Sequence, residues 1–331
     1  MILLDALYVN NGGGKVLLDY LIKKIVTKKL DFYFLLDNRI KEKYVLPTKN
    51  FIYLKPTFFN RHLFYLKNKN KFTSVFTFAN IPPTIRLSCR VYTYLQNIHY
   101  VDKSPPSFTF FLKKNIFNFL ISNSDYYIVQ SNLMKRKLSK LFLNKNKILV
   151  FPFFDFNQSL IKRNIDKKKI NFIYVSSGEK YKNHVNLLKA FQKYNLKFPE
   201  SILTLTISKK YNDLILLINK LKNDGIKIKN LGSISHKKIF NEYKKADVTI
   251  FPSSNESFGL GLIEAAQMNM PIITSNKDYV FQIIKPSATF DCENYLSIYE
   301  CMSNHDRYVS KPSEIIVKNK IDEMLNFTTK K

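Results

Sequence analysis

Short apolar runs, each followed by a polar stretch with helical spacing, recur along most of this chain. Ile2–Leu7, Phe32–Leu36, Phe51–Leu54, Val75–Phe78 and Val91–Leu95 are runs of this kind in the first half. Asp125–Ser131, Ile148–Phe151, Asn171–Val175, Ile202–Ile207, Ile226–Leu231 and Val248–Phe251 continue the pattern. Strands buried on both faces of a parallel sheet read as continuous apolar runs rather than as alternation. Between them, series such as Val16, Leu17, Tyr20, Leu21 and Ile25 follow a helical period. The alternation predicts an α/β chain of doubly wound sheets. Its rhythm breaks over 144–169, a lysine-rich connector with one strand, Pro152 and the charged stretch Lys162–Lys169, so a domain boundary is expected there. The expected division is 1–165, 166–303 and a tail, 304–331, in which Ile315, Val317, Ile321, Met324 and Leu325 suggest one more helix.

The richest chemistry lies in Ala246–Thr274, which reads as strand, loop, helix, strand. Pro252 to Ser257 cannot continue the strand, and Leu260, Ile263 and Glu264 open a helical period. Glu256 falls in the loop and Glu264 about two turns into the helix, at roughly 3.6 residues per turn. Phe258-Gly259-Leu260-Gly261 offers backbone N–H groups with little bulk at a helix start, where the dipole favours a phosphate.

Phe251 to Ala265, FPSSNESFGLGLIEA, resembles the signature of retaining GT-B glycosyltransferases of family 4, also called glycosyl transferases group 1. The resemblance implies two Rossmann-like doubly wound domains facing across a cleft, and a tail helix that returns to the first domain. It assigns Glu256 to the donor sugar hydroxyls, Glu264 to the ribose, and the backbone of Phe258, Gly259 and Leu260 to the sugar and β-phosphate. Lys182-Asn183-His184, before a helix, is similar to the element whose lysine binds the donor diphosphate. His99, in the loop after Val91–Leu95, stands where relatives place a histidine near the reacting carbon. Gly12, Gly13 and Gly14 would form an N-terminal glycine loop at the cleft; the alternative is a simple strand-to-helix turn, because G-x-G-x-x-G is incomplete. Asn230–His236 resembles a turn near the nucleotide base, and Ser131 suits a helix N-cap. Relatives often carry an arginine where this chain has Ser177; Lys180 either substitutes for it or is a solvated loop lysine. Asn269 replaces a glycine and Gly261 a proline; asparagine tolerates the left-handed conformation at a helix end. The resemblance is specific over 246–291, fair over 171–234 and an outline in the first half.

Composition adds charge. The 331 residues carry a formal net charge of +28, with 27 Lys and Arg against 9 Asp and Glu in residues 1–166 and 26 against 16 in the rest. An AT-rich genome accounts for this as readily as an anionic membrane surface does. The lysines and aromatics of Arg61–Lys71 and Phe108–Leu120 are where a membrane would act. No nucleic-acid motif accompanies the charge. Cys89, Cys292 and Cys301 share no metal-like spacing and are expected to be core thiols. No apolar run reaches the roughly 18 residues of a membrane helix and no signal peptide opens the chain, so a cytoplasmic protein, peripheral on the inner membrane face at most, is expected. The resulting expectation is a retaining, metal-independent, hexosyltransferase-type enzyme with no cofactor. It would move a sugar from a nucleoside-diphosphate sugar to a glycan or lipid-linked acceptor in bacterial surface polysaccharide synthesis. An inactive nucleotide-sugar-binding protein and a GT-B sugar-nucleotide epimerase are the alternatives.

Overall fold

The computed structural model describes residues 1–40, 44–101, 108–142, 147–155, 165–166 and 168–330. Much of the connector expected over 144–169 lies outside the described residues. The chain divides into two units, Met1–Asp155 with Lys318–Lys331, and Phe156–Val317.

Unit 1 is built on strands β1 (Ile2–Ala6), β2 (Phe32–Asp37), β3 (Phe51–Leu54), β4 (Ser74–Thr77), β5 (Arg90–Tyr94), β6 (Tyr126–Val129) and β7 (Ile148–Val150). They form one sheet in the order β3-β2-β1-β4-β5-β6-β7, every neighbouring pair parallel. The apolar runs became strands because a central parallel strand must satisfy both faces. Helices α1 (Gly12–Thr27), α2 (Phe58–Asn68), α3 (Phe108–Leu120) and α4 (Asn132–Leu138) connect them. Ser131 caps α4, its side chain accepting from Met134 N. Leu3, Val75 and Val91 are register partners on one face and pack with Phe64 and Tyr65 of α2. Tyr127 and Ile148, on that same face, pack with Phe117 of α3 and Met134 and Leu138 of α4. The glycine loop is corrected: Gly12, Gly13 and Gly14 form the first turn of α1 rather than a tight loop before it. Gly14 lies close to Gln96: an added Cβ would meet its side-chain amide at 3.1 Å, so that side chain would have to shift.

A second correction concerns Arg61. It is fully buried rather than part of a basic surface. Its Nε donates to Asp5 Oδ2 at 2.8 Å, and its remaining N–H groups donate to the carbonyls of Pro82 (2.7 Å) and Ile81 (2.8 Å). Tyr65 donates its hydroxyl to the same Asp5 oxygen at 2.5 Å. A desolvated ion pair persists only when its lone pairs and protons are this well satisfied.

Unit 2 has strands β8 (Phe172–Tyr174), β9 (Leu203–Leu205), β10 (Ile228–Asn230), β11 (Val248–Phe251) and β12 (Ile272–Ser275), then β13 (Ile284–Lys285), β14 (Ala288–Phe290) and β15 (Glu314–Ile315). Six form a parallel sheet, β10-β9-β8-β11-β12-β14, and β13 pairs antiparallel with β15. Its helices are α5 (His184–Lys197), α6 (Asn212–Asn223), α7 (His236–Lys245), α8 (Leu260–Gln267) and α9 (Tyr295–Ser303). Asn269, just past α8, takes φ 55°, the left-handed conformation its place at a helix end requires.

The last helix, α10 (Ile321–Thr329), belongs to unit 1. Phe327 packs against Tyr92, Tyr126 and Phe151, and Lys320 N donates to Pro152 O at 2.7 Å. The tail helix is shorter than expected, because Ile315 lies in β15 and Val317 precedes α10. Both sheets reverse their strand order beside the first strand of each unit, at β1/β4 and β8/β11. Open α/β sheets bind ligands beyond the carboxyl ends of the strands at such points. Replacing Arg61 with Met should cost about 3–5 kcal/mol of stability, because it strands the buried Asp5 carboxylate. Urea denaturation checks this, and a loss below about 1 kcal/mol would remove the pair from the account of unit 1.

Candidate functional site

In unit 2 the segments that follow β8 and β11 meet at the switch point. After β8 the chain runs to a 3-10 turn, Lys180–Lys182, closed by Asn183 at φ 60° before α5 begins. Asparagine takes this left-handed conformation at little cost. It is anchored there, Asn183 Nδ2 donating to Cys292 O at 2.6 Å and Pro252 O at 3.3 Å. The segment after β11 is stitched to the same turn. Ser254 N donates to Tyr181 O at 2.9 Å, and the buried Tyr174 hydroxyl donates to Lys182 O (3.0 Å) and meets Ser253 Oγ (2.9 Å). Tyr279 and Ser275 both donate to Ser253 O, at 2.9 and 2.7 Å.

These bonds bring together two residues separated by more than seventy positions. Lys182 Nζ lies 2.5 Å from Glu256 Oε1, with the two side chains only 14% and 9% exposed. The ammonium also stands 5.9 Å from the centre of the Phe251 ring. That ring lies against Gly261 in the first turn of α8, where an added Cβ would meet it at 3.2 Å. Lys182 and the start of α8 therefore flank one aromatic ring. Gly259 precedes the helix at φ 78°, a conformation that strains any residue with a side chain. Phe258 and Gly259 are buried and Leu260 is half-buried, so this segment offers backbone rather than side chains.

Glu264, inside α8, is buried and accepts from His236 Nε2 at 2.8 Å or shares its proton. His236, the last residue of the turn expected near a base, is the first residue of α7. The sequence did not mark it as a site residue; its place directly after Ser235, at the end of that turn, was the available signal. Ser177 and Lys180 are exposed in the loop before α5. The Ser177 carbonyl lies 2.9 Å from His184 Nε2, which is also 3.0 Å from Ser176 Oγ. His184 Nδ1 is buried and has no partner among the described residues. Burial pushes the His184 pKa down to about 4; the Ser177 carbonyl opposes this and the Lys182 charge adds to it.

In unit 1, His99 is half-buried in a 3-10 turn, Ile98–Tyr100, that follows β5. Its backbone N–H donates to Asn97 Oδ1 at 3.0 Å, and its ring meets Phe110 of α3 edge-on, centroids 5.5 Å apart. Gly13 and Gly14 lie after β1 in the same unit. The cysteines are free: Cys292 is buried, Cys89 and Cys301 half-buried. Burial raises all three thiols, Cys292 to about 11 and Cys301 to about 12. Among the described residues no three His, Cys, Asp or Glu side chains gather to hold a metal, and no helix is long and apolar enough to cross a membrane.

This architecture is that of the GT-B glycosyltransferase structures. The chain superposes on WaaG, a glycosyltransferase involved in lipopolysaccharide biosynthesis, with a TM-score of 0.70 at 11% identity, covering 100% of both chains. It superposes on Anabaena HepE, solved with UDP and glucose, with a TM-score of 0.70 at 13% identity, covering 99% of this chain and 95% of that one. Residues 155–297 match the model of the glycosyl transferases group 1 family. An uncharacterized 41.2 kDa protein in the cps region of Klebsiella pneumoniae is 25% identical over 252 residues, 73% of this chain. The matches span 34% and 64% of the length of the curated relatives.

His184 makes stability depend on pH. Its folded pKa, about 4, lies below the ordinary 6.5, so the unfolded chain binds the proton more readily. Its contribution is complete above about pH 6.5 and is lost as pH falls toward 4. Between pH 7 and 4 the protein should lose about 3 kcal/mol more stability than His184→Gln. Parallel denaturation curves for the two proteins would contradict this assignment.

Proposed function

We propose that the chain is a retaining glycosyltransferase that moves a sugar from a nucleoside-diphosphate sugar to a glycan or lipid-linked acceptor, in the synthesis of a bacterial surface polysaccharide. The observation that carries the reading is the Lys182–Glu256 pair, held beyond the carboxyl ends of β8 and β11 beside the first turn of α8. The group 1 family match over 155–297 supports the transferase class, and the likeness to HepE, solved with UDP and glucose, supports UDP-sugar as the donor type.

In this reading Lys182 takes the diphosphate and disperses the charge that builds on the leaving group. Glu256 turns to the donor sugar hydroxyls, and Glu264, oriented by His236, accepts from the ribose. The N–H groups at Phe258, Gly259 and Leu260 hold the sugar and β-phosphate. From unit 1, His99, Gly13 and Gly14 are assigned to the reacting centre on the family resemblance alone. The acceptor oxygen bonds to the anomeric carbon on the face that the diphosphate leaves, the sugar–phosphate C–O bond breaks, and the acceptor proton passes to a phosphate oxygen. Orientation and charge supply the rate, with Lys182 in the role that a divalent ion fills elsewhere. Ser177, exposed where relatives carry an arginine, favours a second reading: a protein that binds nucleotide sugar without turnover.

Calorimetry with UDP and GDP, combined with turnover assays, tests both readings. Lys182→Ala should weaken diphosphate binding at least about tenfold, the size of one charge-assisted contact. Glu256→Gln should bind UDP nearly as well and lose turnover about a hundredfold or more. Binding without turnover in the unaltered protein would select the second reading, and undiminished UDP affinity in Lys182→Ala would sink both. Turnover should also persist in excess EDTA; its loss on chelation, with recovery on adding Mg²⁺ or Mn²⁺, would overturn metal independence.

A further inference from the structure

The segment that follows β5 carries His99, and it is held by a single side chain from the segment that follows β4. Leu95 N donates to Ile128 O at 2.9 Å, continuing the contact with β6. The next two N–H groups, those of Gln96 and Asn97, turn instead to Asn80 Oδ1, at 2.7 and 2.9 Å. One amide oxygen thus takes over where β5 leaves the sheet. Asn97 Oδ1 in turn accepts from His99 N at 3.0 Å and caps the 3-10 turn in which His99 lies. Gln96 spends its own side chain on Phe78 O, at 3.3 Å.

Asn80 is fitted to this task. It is the third residue past β4 and takes φ 66°, a left-handed conformation that asparagine adopts readily and most other side chains do not. The carbonyls of the next two residues, Ile81 and Pro82, accept from the buried Arg61 guanidinium, so the backbone beyond Asn80 is fixed by the same group that binds Asp5. Two N–H donors on one atom settle which end of the amide faces them, since only the oxygen accepts. Asn80 Nδ2 has no partner among the described residues.

We propose that Asn80 is the positioning residue for His99. The path has two links, from Asn80 Oδ1 to the Asn97 N–H and from Asn97 Oδ1 to the His99 N–H, and it sets where the imidazole stands beyond the end of β5. Phe110, edge-on with centroids 5.5 Å apart, meets the ring itself. The inference rests on the proposed function for the part His99 plays at the reacting centre; the placement of the ring stands without it. A residue that merely stabilised the loop would act whether or not position 99 held an imidazole, whereas a positioning residue acts only through it.

Asn80→Gly keeps the left-handed backbone and removes the acceptor, while Asn80→Asp keeps both. The chain has five histidines, so in histidine-labelled protein the His99 ring signal is assigned by its absence from His99→Ala. That signal reports position through the nearby Phe110 ring. It should move in Asn80→Gly and stay close to its place in Asn80→Asp. The signals of His184, His236 and His305, all in unit 2, should stay where they are in both. Asn97→Ala, which cuts only the second link, should move the His99 signal too. Turnover should fall about tenfold to a hundredfold in Asn80→Gly with UDP affinity unchanged, a misplacement of about 1 Å costing up to about a hundredfold. Asn80→Asp should recover most of that loss. In a His99→Ala background Asn80→Gly should cost less than about twofold more, because the two residues act as one unit. A His99 signal that stays in place in both Asn80→Gly and Asn97→Ala would overturn the inference. An equal loss of turnover in Asn80→Asp and Asn80→Gly would do the same, making the Asn80 N–H groups a direct substrate contact, and so would losses at positions 80 and 99 that simply multiply. The ring signals need no turnover, so an inactive protein would remove the transferase reading and leave the placement of His99 decided on its own.

Discussion

A single lysine, held out of water against a carboxylate, is the constraint on which unit 2 is organised. An ammonium as sheltered as Lys182 requires a counter-charge, and Glu256 supplies it. That requirement explains the stitching around it: Asn183 accepts a left-handed backbone, and Tyr174, Ser253 and Tyr279 fix the facing loop so that the two chain segments stay in register. A fixed pair of this kind is also preorganised. In the proposed reading, an arriving diphosphate would find a cation already stripped of most of its water, and the carboxylate it displaced would be left with acceptor positions for hydroxyl groups.

Unit 1 uses a buried charge pair for a different end. Asp5 and Arg61 join β1 to α2, and the guanidinium reaches the carbonyls of Ile81 and Pro82, so β1 and the segment following β4 are tied through α2 beside the point where the strand order reverses. The two units thus rest on the same topological device, reinforced by an ion pair at different depths. In unit 1 the pair is sealed in the core; in unit 2 it remains partly open.

The strands were legible because parallel strands covered on both faces leave a signal in local sequence, as in Phe32–Asp37 and Val248–Phe251. The Glu256–Glu264 frame was legible for a related reason, since loop, glycine and helix start are consecutive. What the sequence concealed depended on long-range contacts. A charged Arg61 reads as surface until Asp5 is found beside it. His236 acquires meaning only from Glu264, twenty-eight positions away in sequence. β13 and β15 are two residues each, too short for any periodicity to register. Gly12–Gly14 entered α1 although glycine disfavours helix, and Gly14 has a close neighbour there, the Gln96 amide.

The return of α10 to unit 1 has a consequence for the order in which the protein is made. Ribosomes release β1–β7 first, yet the ring of Phe327 that covers Tyr92, Tyr126 and Phe151 is synthesised only after all of unit 2. Until then Tyr92, Tyr126 and Phe151 lack that ring, and contacts such as Ser74 with Thr328, 254 positions apart, carry a large loop-closure cost. Unit 2 is contiguous from start to end, so all of its chain is made before the last helix of unit 1. The unit whose strands are made first is thus the last to receive all of its parts, an interval in which uncovered apolar surface favours misassembly.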